Sequence, residues 1–274
     1  MITPITPITA NQIAGGSGQT PVGESAAQYS LLRTLLIWLG ATLPMGILAW
    51  MVWPLLRERV ALHPGLLFWM LMIVGMIWQF ALALLVLRAE LGTLRWSVVA
   101  PRIWAQQPRD PRSGDRRPGL WWMLIPIALV FAALTASSEL ASPIVESLGF
   151  HAPSGTDIRD LADPQFIGQW WILALAVVSS VFNYVLGEEL LFRGVLLPRM
   201  QGAFGRWDWL ANGILFALYH LHKFWAMPLI LLTSLPFSWA ARRYRTIWFA
   251  ICLHAIEGII TLILVGAIVS GLAF

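Results

Sequence analysis

Long apolar runs recur along this chain, and they restrict its fold more than any other feature. They lie near residues 31–56, 65–88, 119–137, 166–198, 208–224, 227–241 and 246–272. About 20 apolar residues in a helix cross the ~30 Å hydrocarbon core of a bilayer. Helices and closed barrels are the structures that satisfy every backbone polar group there. The sequence therefore predicts an all-α polytopic transmembrane bundle of about seven spans, within a range of six to eight.

The composition also indicates an integral membrane protein. The 274 residues are 58% hydrophobic and 12% charged, whereas soluble domains carry about 25% charged residues. The one cysteine, Cys252, excludes an intramolecular disulfide framework, and we interpret it as a buried thiol. The cations cluster between apolar runs without a basic, aromatic face. We therefore expect a lipid bilayer as partner and no nucleic acid.

Loop charges predict the orientation of the bundle. The connection 89–118 carries six arginines against three acids, so the positive-inside rule assigns it to the cytoplasm. The connection 138–165 carries five acids against Arg159 alone, so it should be external. The signs alternate as seven spans require, with a cytoplasmic N-terminus. One lysine against 17 arginines is typical of a GC-rich genome, and we predict a multi-pass protein of the bacterial inner (plasma) membrane.

These patterns divide the chain into four segments. Residues 1–29 are polar and rich in Thr, Pro and Gly, and we predict a disordered tail. Residues 30–137 hold the N-terminal transmembrane helices and the basic cytoplasmic loop. Residues 138–165 form the acidic external loop, and residues 166–274 hold the helices that carry the intramembrane charges.

Ionisable side chains inside the predicted spans mark function or a specific partner, because burying them in lipid is costly. Glu189 and Arg193 are four residues apart, so they share a helical face and predict an ion pair. Glu188 lies about 140° from Arg193 around an α-helix, which leaves its carboxylate to another role. The remaining ionisable residues of this kind are His220, His254 and Glu257.

Three of these residues fall at one depth of the membrane. From the cytoplasmic ends of their helices, Glu188, His220 and His254 lie about 15, 18 and 12 Å along the axis. A carboxylate close to two imidazoles can activate water and stabilise an oxyanion. The sequence therefore predicts a hydrolytic site inside the membrane.

Other catalytic arrangements match the chain less well. It contains neither the HExxH of zinc metalloproteases nor the GxSxG of serine hydrolases. The GxGD of intramembrane aspartyl proteases is also missing, and a rhomboid-like serine site is not expected. His220 and His222 form an H-x-H pair, but residues i and i+2 of a helix do not face each other. A transport path is a further alternative, although the ionisable residues cluster at one depth.

Three motifs in succession carry a family resemblance. They are E-E-x-x-x-R at Glu188–Arg193, F-x-x-x-H at Phe216–His220, and the later intramembrane His254. Over roughly residues 166–262, the chain resembles the CPBP family of CAAX-processing and bacteriocin-processing intramembrane proteases. That family includes the type II CAAX prenyl endopeptidases and the Abi proteins.

The resemblance implies a role for each matching residue. Glu188 and His220 would activate the attacking water, with Glu189 and Arg193 in support. His254 would help to stabilise the oxyanion. We prefer a glutamate-based mechanism with no cofactor; the alternative is a divalent metal such as zinc, held by the same carboxylates and histidines.

One position departs from the family pattern. The third motif normally has Asn or Asp four residues after its histidine, but Gly258 stands there, with Glu257 one position earlier. Losing one oxyanion donor lowers a rate by about 10²–10³. Asn212, Asn183 or Glu257 could supply the support that is missing. Alternatively, Gly258 permits close packing of two helices.

We therefore predict a hydrolase, an intramembrane endopeptidase that cleaves a membrane-associated peptide or protein near the cytoplasmic face. The alternative from another class is a catalytically silent membrane protein for bacteriocin immunity or scaffolding. A transporter is the third hypothesis.

Overall fold

The computed structural model describes residues 27–156 and 158–273. These residues form an all-α bundle, and their only β-type pairing is an isolated bridge between Arg109 and Arg116. The all-α prediction is confirmed. The predicted disordered tail, residues 1–29, falls almost wholly outside the described residues.

The first half of the chain contains α1 (Leu31–Ile47), α2 (Trp53–Leu56), α3 (Pro64–Leu91), α4 (Trp96–Arg102) and α5 (Leu124–Ser147). A π-helix, Leu48–Val52, joins α1 to α2, and a 3-10 helix, Pro118–Met123, leads into α5.

The second half contains α6 (Trp171–Val181), α7 (Gln201–Phe204), α8 (Asp208–Tyr219), α9 (Met227–Tyr244) and α10 (Trp248–Ser270). Between α6 and α7 the helix continues as two π-helices, Phe182–Gly187 and Leu190–Leu196, and the 3-10 turn Leu197–Arg199. Four further 3-10 segments are Ile158–Leu161, Pro164–Phe166, Gly205–Trp207 and His220–Ala226.

Six helical stretches in the described residues are long and apolar enough to cross a membrane, which makes this a multi-pass membrane protein. The fifth stretch, Gln201–Tyr244, is a hairpin of two antiparallel helices. Near its open end, Arg242 donates to Asp208 over 2.6 Å, and Ser238 donates to Asn212 over 2.9 Å. The two separate runs predicted at 208–224 and 227–241 are therefore α8 and α9.

One predicted boundary lies in a different place. The sequence ends the third span at residue 137, whereas α5 continues to Ser147 and takes in residues assigned to the external loop. Its polar side chains are compatible with helix because their hydroxyls bond to the helix itself. Ser137 donates to the Ala133 carbonyl, and Ser138 donates to the Thr135 carbonyl, each over 2.8 Å.

A charged cluster at one end of the bundle connects three parts of the chain. Glu90 accepts hydrogen bonds from Arg102 and Arg199 over 2.8 to 2.9 Å and from the Tyr29 hydroxyl over 2.7 Å. Arg102 also donates to two backbone carbonyls of the π-helix Leu190–Leu196. We call this the arginine end of the bundle. The opposite end, built from residues 57–63 and 148–170, is called the acidic end.

Removing the carboxylate at the centre of this cluster is expected to destabilise the bundle. In Glu90→Gln, the buried Arg102 loses its counter-charge, and breaking such a pair costs on the order of 3 kcal/mol. Thermal unfolding of the protein in detergent, followed by tryptophan fluorescence, measures the change. The control is Glu58→Gln, whose pair with Arg57 is exposed and should contribute less than about 1 kcal/mol. Equal stability of both variants would contradict the proposed role of Glu90.

Candidate active site

The carboxylate of Glu188 lies between two histidines on the wall of a cavity of about 320 Å³. The Nε2 of His220 is 3.6 Å from its Oε1, and the Nε2 of His254 is 3.7 Å from its Oε2. All three residues are buried. The three residues that the sequence placed at one depth are therefore brought together, each from a different helical segment.

The remaining ring nitrogen of each histidine is held by a separate partner. In His220, Nδ1 lies 2.9 Å from the backbone carbonyl of Phe216, one turn earlier in the same helix. In His254, Nδ1 lies 2.9 Å from Oε1 of Glu189. Since both partners are acceptors, each Nδ1 carries hydrogen, and in the neutral ring each Nε2 is left as an acceptor facing Glu188.

Glu189 and Arg193 form the predicted ion pair, with Arg193 Nη1 donating to Glu189 Oε1 over 3.0 Å. Neither side chain has any exposed surface. The guanidinium carbon lies 4.1 Å above the ring of Phe216 and 5.5 Å from that of Phe237, so two aromatic faces surround the cation. Because Glu189 Oε1 also contacts His254, this pair positions one of the two imidazoles that face Glu188.

The local backbone differs from the α-helix assumed in the sequence argument. Phe182–Gly187 and Leu190–Leu196 are π-helical, and Glu188 and Glu189 lie between them. The 140° estimate for Glu188 and Arg193 therefore does not apply. The predicted pair of Glu189 with Arg193 is still formed, and Glu188 faces the histidines instead. Single π-turns inside α-helices are frequent at functional sites.

The expectation for His220 and His222 was wrong. Their rings stack with centroids 5.2 Å apart and planes 28° apart. The reason is that α8 ends at Tyr219, and His220 already belongs to the 3-10 turn that leads into α9. His222 is buried and lines the same cavity, so it is a third imidazole at the site, beside His220 and His254.

The three residues considered for oxyanion support fall in different places. Asn183 lines the cavity, and with its amide nitrogen turned towards Glu188 it donates to Oε1 over 3.0 Å and to Oε2 over 3.1 Å. Glu257 lies at the edge of the site, 3.7 Å from Nε2 of His254. Asn212 is not brought to the site. Its amide donates to the Phe192 carbonyl and accepts from Ser238, so it ties helices together instead.

Tyr184 explains the glycine that departs from the family pattern. A Cβ added at Gly258 would lie 2.6 Å from Cδ2 of the Tyr184 ring, which is closer than real Cβ atoms approach. The ring also packs edge-on against His254 with centroids 4.7 Å apart, and its hydroxyl lies 3.3 Å from that of Thr261. Close packing was one of the alternatives for Gly258, and the packing partner is this aromatic ring.

The cavity wall reaches the acidic end of the bundle. It includes Thr156 and Leu161, which belong to that end, and Gly65 at the start of α3 beside it, but no residue of the arginine-end loops 92–118 and 245–247. The sequence predicted cleavage near the cytoplasmic face, and the positive-inside rule assigns that face to the arginine end.

The described residues contain no group of three His, Cys, Asp or Glu side chains arranged to hold a metal ion. Zinc requires ligands at about 2.0–2.2 Å that converge on one point. Here one nitrogen of each histidine is committed to another acceptor, and each Nε2 is at least 3.6 Å from Glu188. The metal-free mechanism remains a prediction that chelation can test.

Comparison with known proteins connects this geometry to a family. Residues 168–260 match the model of the Rce1-like family, described as type II CAAX prenyl endopeptidase Rce1-like. The resemblance to the CPBP family is thereby confirmed. The matched residues form an Rce1-like region that contains Glu188, both histidines and the ion pair. The chain has no match among the curated proteins or the solved structures.

We expect Arg193→Ala to destabilise the Rce1-like region, because Glu189 would be left as a buried charge without its counter-charge. Removing one member of such a pair costs about 3–5 kcal/mol. Abundance in the membrane and thermal unfolding in detergent both measure this loss. Adding Glu189→Gln should restore part of the stability, since the stranded charge is then gone. A single variant as stable as wild type would show that the pair contributes nothing.

Restoring the family's residue in Gly258→Asn is expected to destabilise the protein by about 1–3 kcal/mol, the usual cost of overpacking. The new side chain would overlap the Tyr184 ring. The double variant Gly258→Asn, Tyr184→Ala removes that overlap and should recover most of the loss. Thermal unfolding of the two variants and of Tyr184→Ala alone provides the comparison. Additive losses in the double variant would refute the steric account.

Proposed function

We propose that this protein is an intramembrane endopeptidase in which Glu188 and His220 activate a water molecule to cleave a peptide bond. One observation carries the proposal: a buried carboxylate on the wall of a cavity within the membrane-spanning bundle faces the Nε2 atoms of two histidines. The match to the Rce1-like family supports proteolysis as the class of reaction.

The first step uses the gap between Glu188 and His220. Oε1 and Nε2 are 3.6 Å apart, too far for a direct hydrogen bond but suited to one water that donates to both. As the water oxygen attacks the carbonyl carbon of the substrate, Glu188 takes a proton from it. His220, fixed by the Phe216 carbonyl, orients the water through its other hydrogen.

The second step needs positive charge near the developing oxyanion. Three carboxylates surround His254, those of Glu189 at 2.9 Å and of Glu188 and Glu257 at 3.7 Å each. In its cationic form, His254 donates from Nδ1 to Glu189 and has Nε2–H for the oxyanion. Glu188 then passes its proton to the amine nitrogen as the carbon–nitrogen bond breaks.

The cavity favours an extended peptide as substrate. Its wall includes the three methionines Met45, Met72 and Met76, and the aromatic side chains of Phe68 and Trp69. Methionine adapts its shape to different apolar partners. About 320 Å³ admits a few side chains but no folded domain, so the scissile segment would enter unfolded.

Glu188→Gln is expected to lower cleavage by about 10²–10⁴-fold, because an amide cannot accept the proton from water. The variant should accumulate normally, since Glu188 has no part in the Arg193 pair. Membrane proteomes of cells with the wild-type protein and with the variant are compared for a lost cleavage product, with Glu139→Gln, on the exposed face of α5, as control. An unchanged set of products in Glu188→Gln would favour the silent immunity or scaffolding protein.

We further expect the purified protein to carry no stoichiometric metal and to keep its activity in EDTA or phenanthroline. A Glu–His pair that activates water requires hydrogen-bond reach and no metal ligand geometry. Elemental analysis and cleavage assays with and without chelator measure the two properties. Near-stoichiometric zinc, with activity lost on chelation and restored by zinc, would refute the glutamate mechanism.

A further inference from the structure

We infer that the active-site cavity opens to the external face of the membrane, so that the substrate reaches Glu188 from outside the cell. The substrate part of this inference rests on the proposed function. The orientation of the cavity in the membrane does not rest on the proposed function, and it can be measured without an assay of proteolysis.

Backbone contacts define the two ends of the bundle independently of charge. At the arginine end, the Arg109 amide donates to the Tyr244 carbonyl over 2.8 Å, which packs the 89–118 connection against the α9–α10 turn. At the acidic end, the Gly168 amide donates to the Val269 carbonyl over 2.7 Å. The cavity belongs to one of these ends.

The wall of the cavity follows one face of α3 from the acidic end to the catalytic carboxylate. Gly65 lies at the start of α3, and Phe68, Met72 and Met76 follow at helical spacing along the same face. From Gly65 to Met76 the helix rises about 16 Å. Opposite Met76, the helix carrying Glu188 comes close, since a Cβ on Gly187 would lie 3.3 Å from the Met76 carbonyl oxygen.

The opposite direction is closed by packed side chains. Beyond Glu188, the π-helix Leu190–Leu196 places Leu191, Phe192 and Arg193 at zero exposure. Further on, Arg102 caps this segment by donating to two of its carbonyls. A substrate therefore has no described route from the arginine end to the carboxylate.

On the side of the acidic end, the turn between α8 and α9 forms part of the cavity wall. With 12 residues, α8 is about 18 Å long, shorter than the ~30 Å hydrocarbon core. The turn His220–Ala226 follows α8 on the side of the acidic end. Its residues His222, Lys223 and Ala226 line the cavity, so polar side chains belong to the cavity wall on this side.

The distribution of arginines assigns the acidic end to the outside. Of the 17 arginines in the sequence, three belong to segments at the acidic end: Arg57, Arg59 and Arg159. Arg193 lies inside the bundle, and the other 13 belong to segments towards the arginine end. Lys and Arg are retained on the cytoplasmic side of bacterial membranes. The mouth of the cavity is therefore external, and the expectation of cleavage near the cytoplasmic face is replaced.

This orientation narrows the substrate class. The scissile bond lies in an apolar, extended segment at the external surface of the membrane, such as the external juxtamembrane part of an anchored or exported polypeptide. A cytoplasmic tail could not reach Glu188 without crossing the packed arginine end.

Cysteine labelling in oriented vesicles tests the orientation. In a Cys252→Ala background, Ser154→Cys reports the acidic end and Ser113→Cys reports the arginine end, both at exposed positions. We expect a membrane-impermeant maleimide to label Ser154→Cys in right-side-out vesicles and Ser113→Cys only in inverted ones. The reverse pattern would overturn the inference.

Access to the cavity is measured with a small charged thiol reagent. Met72→Cys, on the cavity wall, should react in right-side-out vesicles, and its reaction should be lost in inverted ones. Leu87→Cys is the matched control in the same helix: it is fully buried outside the cavity and should stay unlabelled. Thr261→Cys, across the cavity, replaces Met72→Cys if that variant fails to accumulate.

The outcomes separate this inference from the proposed function. No reaction of either cavity cysteine from outside, with Ser154→Cys labelled, would overturn the external access. Labelling as expected would support it even if Glu188→Gln left all cleavage products unchanged. In that case, the proteolytic function would fail and the outward-facing cavity would stand.

Discussion

The buried contact of Glu189 with Arg193 and His254 is the interaction on which the site depends. A single oxygen of Glu189 accepts from both partners, at 3.0 and 2.9 Å, and neither Glu189 nor Arg193 has any exposed surface. Such a charge is tolerated in a low-dielectric interior only when its counter-charge and donors are fixed. Phe216 and Phe237 hold the guanidinium from two faces, so the pair also joins α8 and α9 to the π-helix. The direction of His254 Nε2 towards Glu188 follows from this arrangement.

Two adjacent carboxylates face different surroundings here, in a helix whose backbone is π-helical on both sides of them. Glu189 turns into the protein and carries the structural contacts, whereas Glu188 turns to the cavity, where Asn183 and the two histidines surround it. Arg193 bonds to Glu189, four residues away, and not to Glu188, five residues away. The same segment therefore provides both a buried ion pair and a carboxylate that faces the cavity.

The sequence predicted those features that depend on helix rise and on the cost of burying charge. Depth along a helix is nearly fixed, so Glu188, His220 and His254 were expected to meet, and the Glu189–Arg193 pair follows from spacing. Features set by tertiary contacts were not predictable. The stacking of His220 on His222 requires knowing that α8 stops at Tyr219, and sequence spacing within a long apolar run does not mark that point. Nor does Gly258 by itself reveal that the Tyr184 ring fills the space beside it.

The proposed hydrolytic site must admit water without leaving its charges unpaired in lipid, and the two ends of the bundle correspond to these two requirements. At the arginine end, Glu90, Arg102 and Arg199 close the helices with charge-assisted bonds that reach the backbone just beyond Arg193. At the acidic end, the face of α3 that lines the cavity leads from Gly65 to Glu188. Closure on one side holds the carboxylate and the imidazoles in place, while the proposed opening on the other would admit water and substrate. Since positive charge is concentrated on the closed side, the positive-inside rule that orients the protein would also determine from which side the proposed substrate arrives.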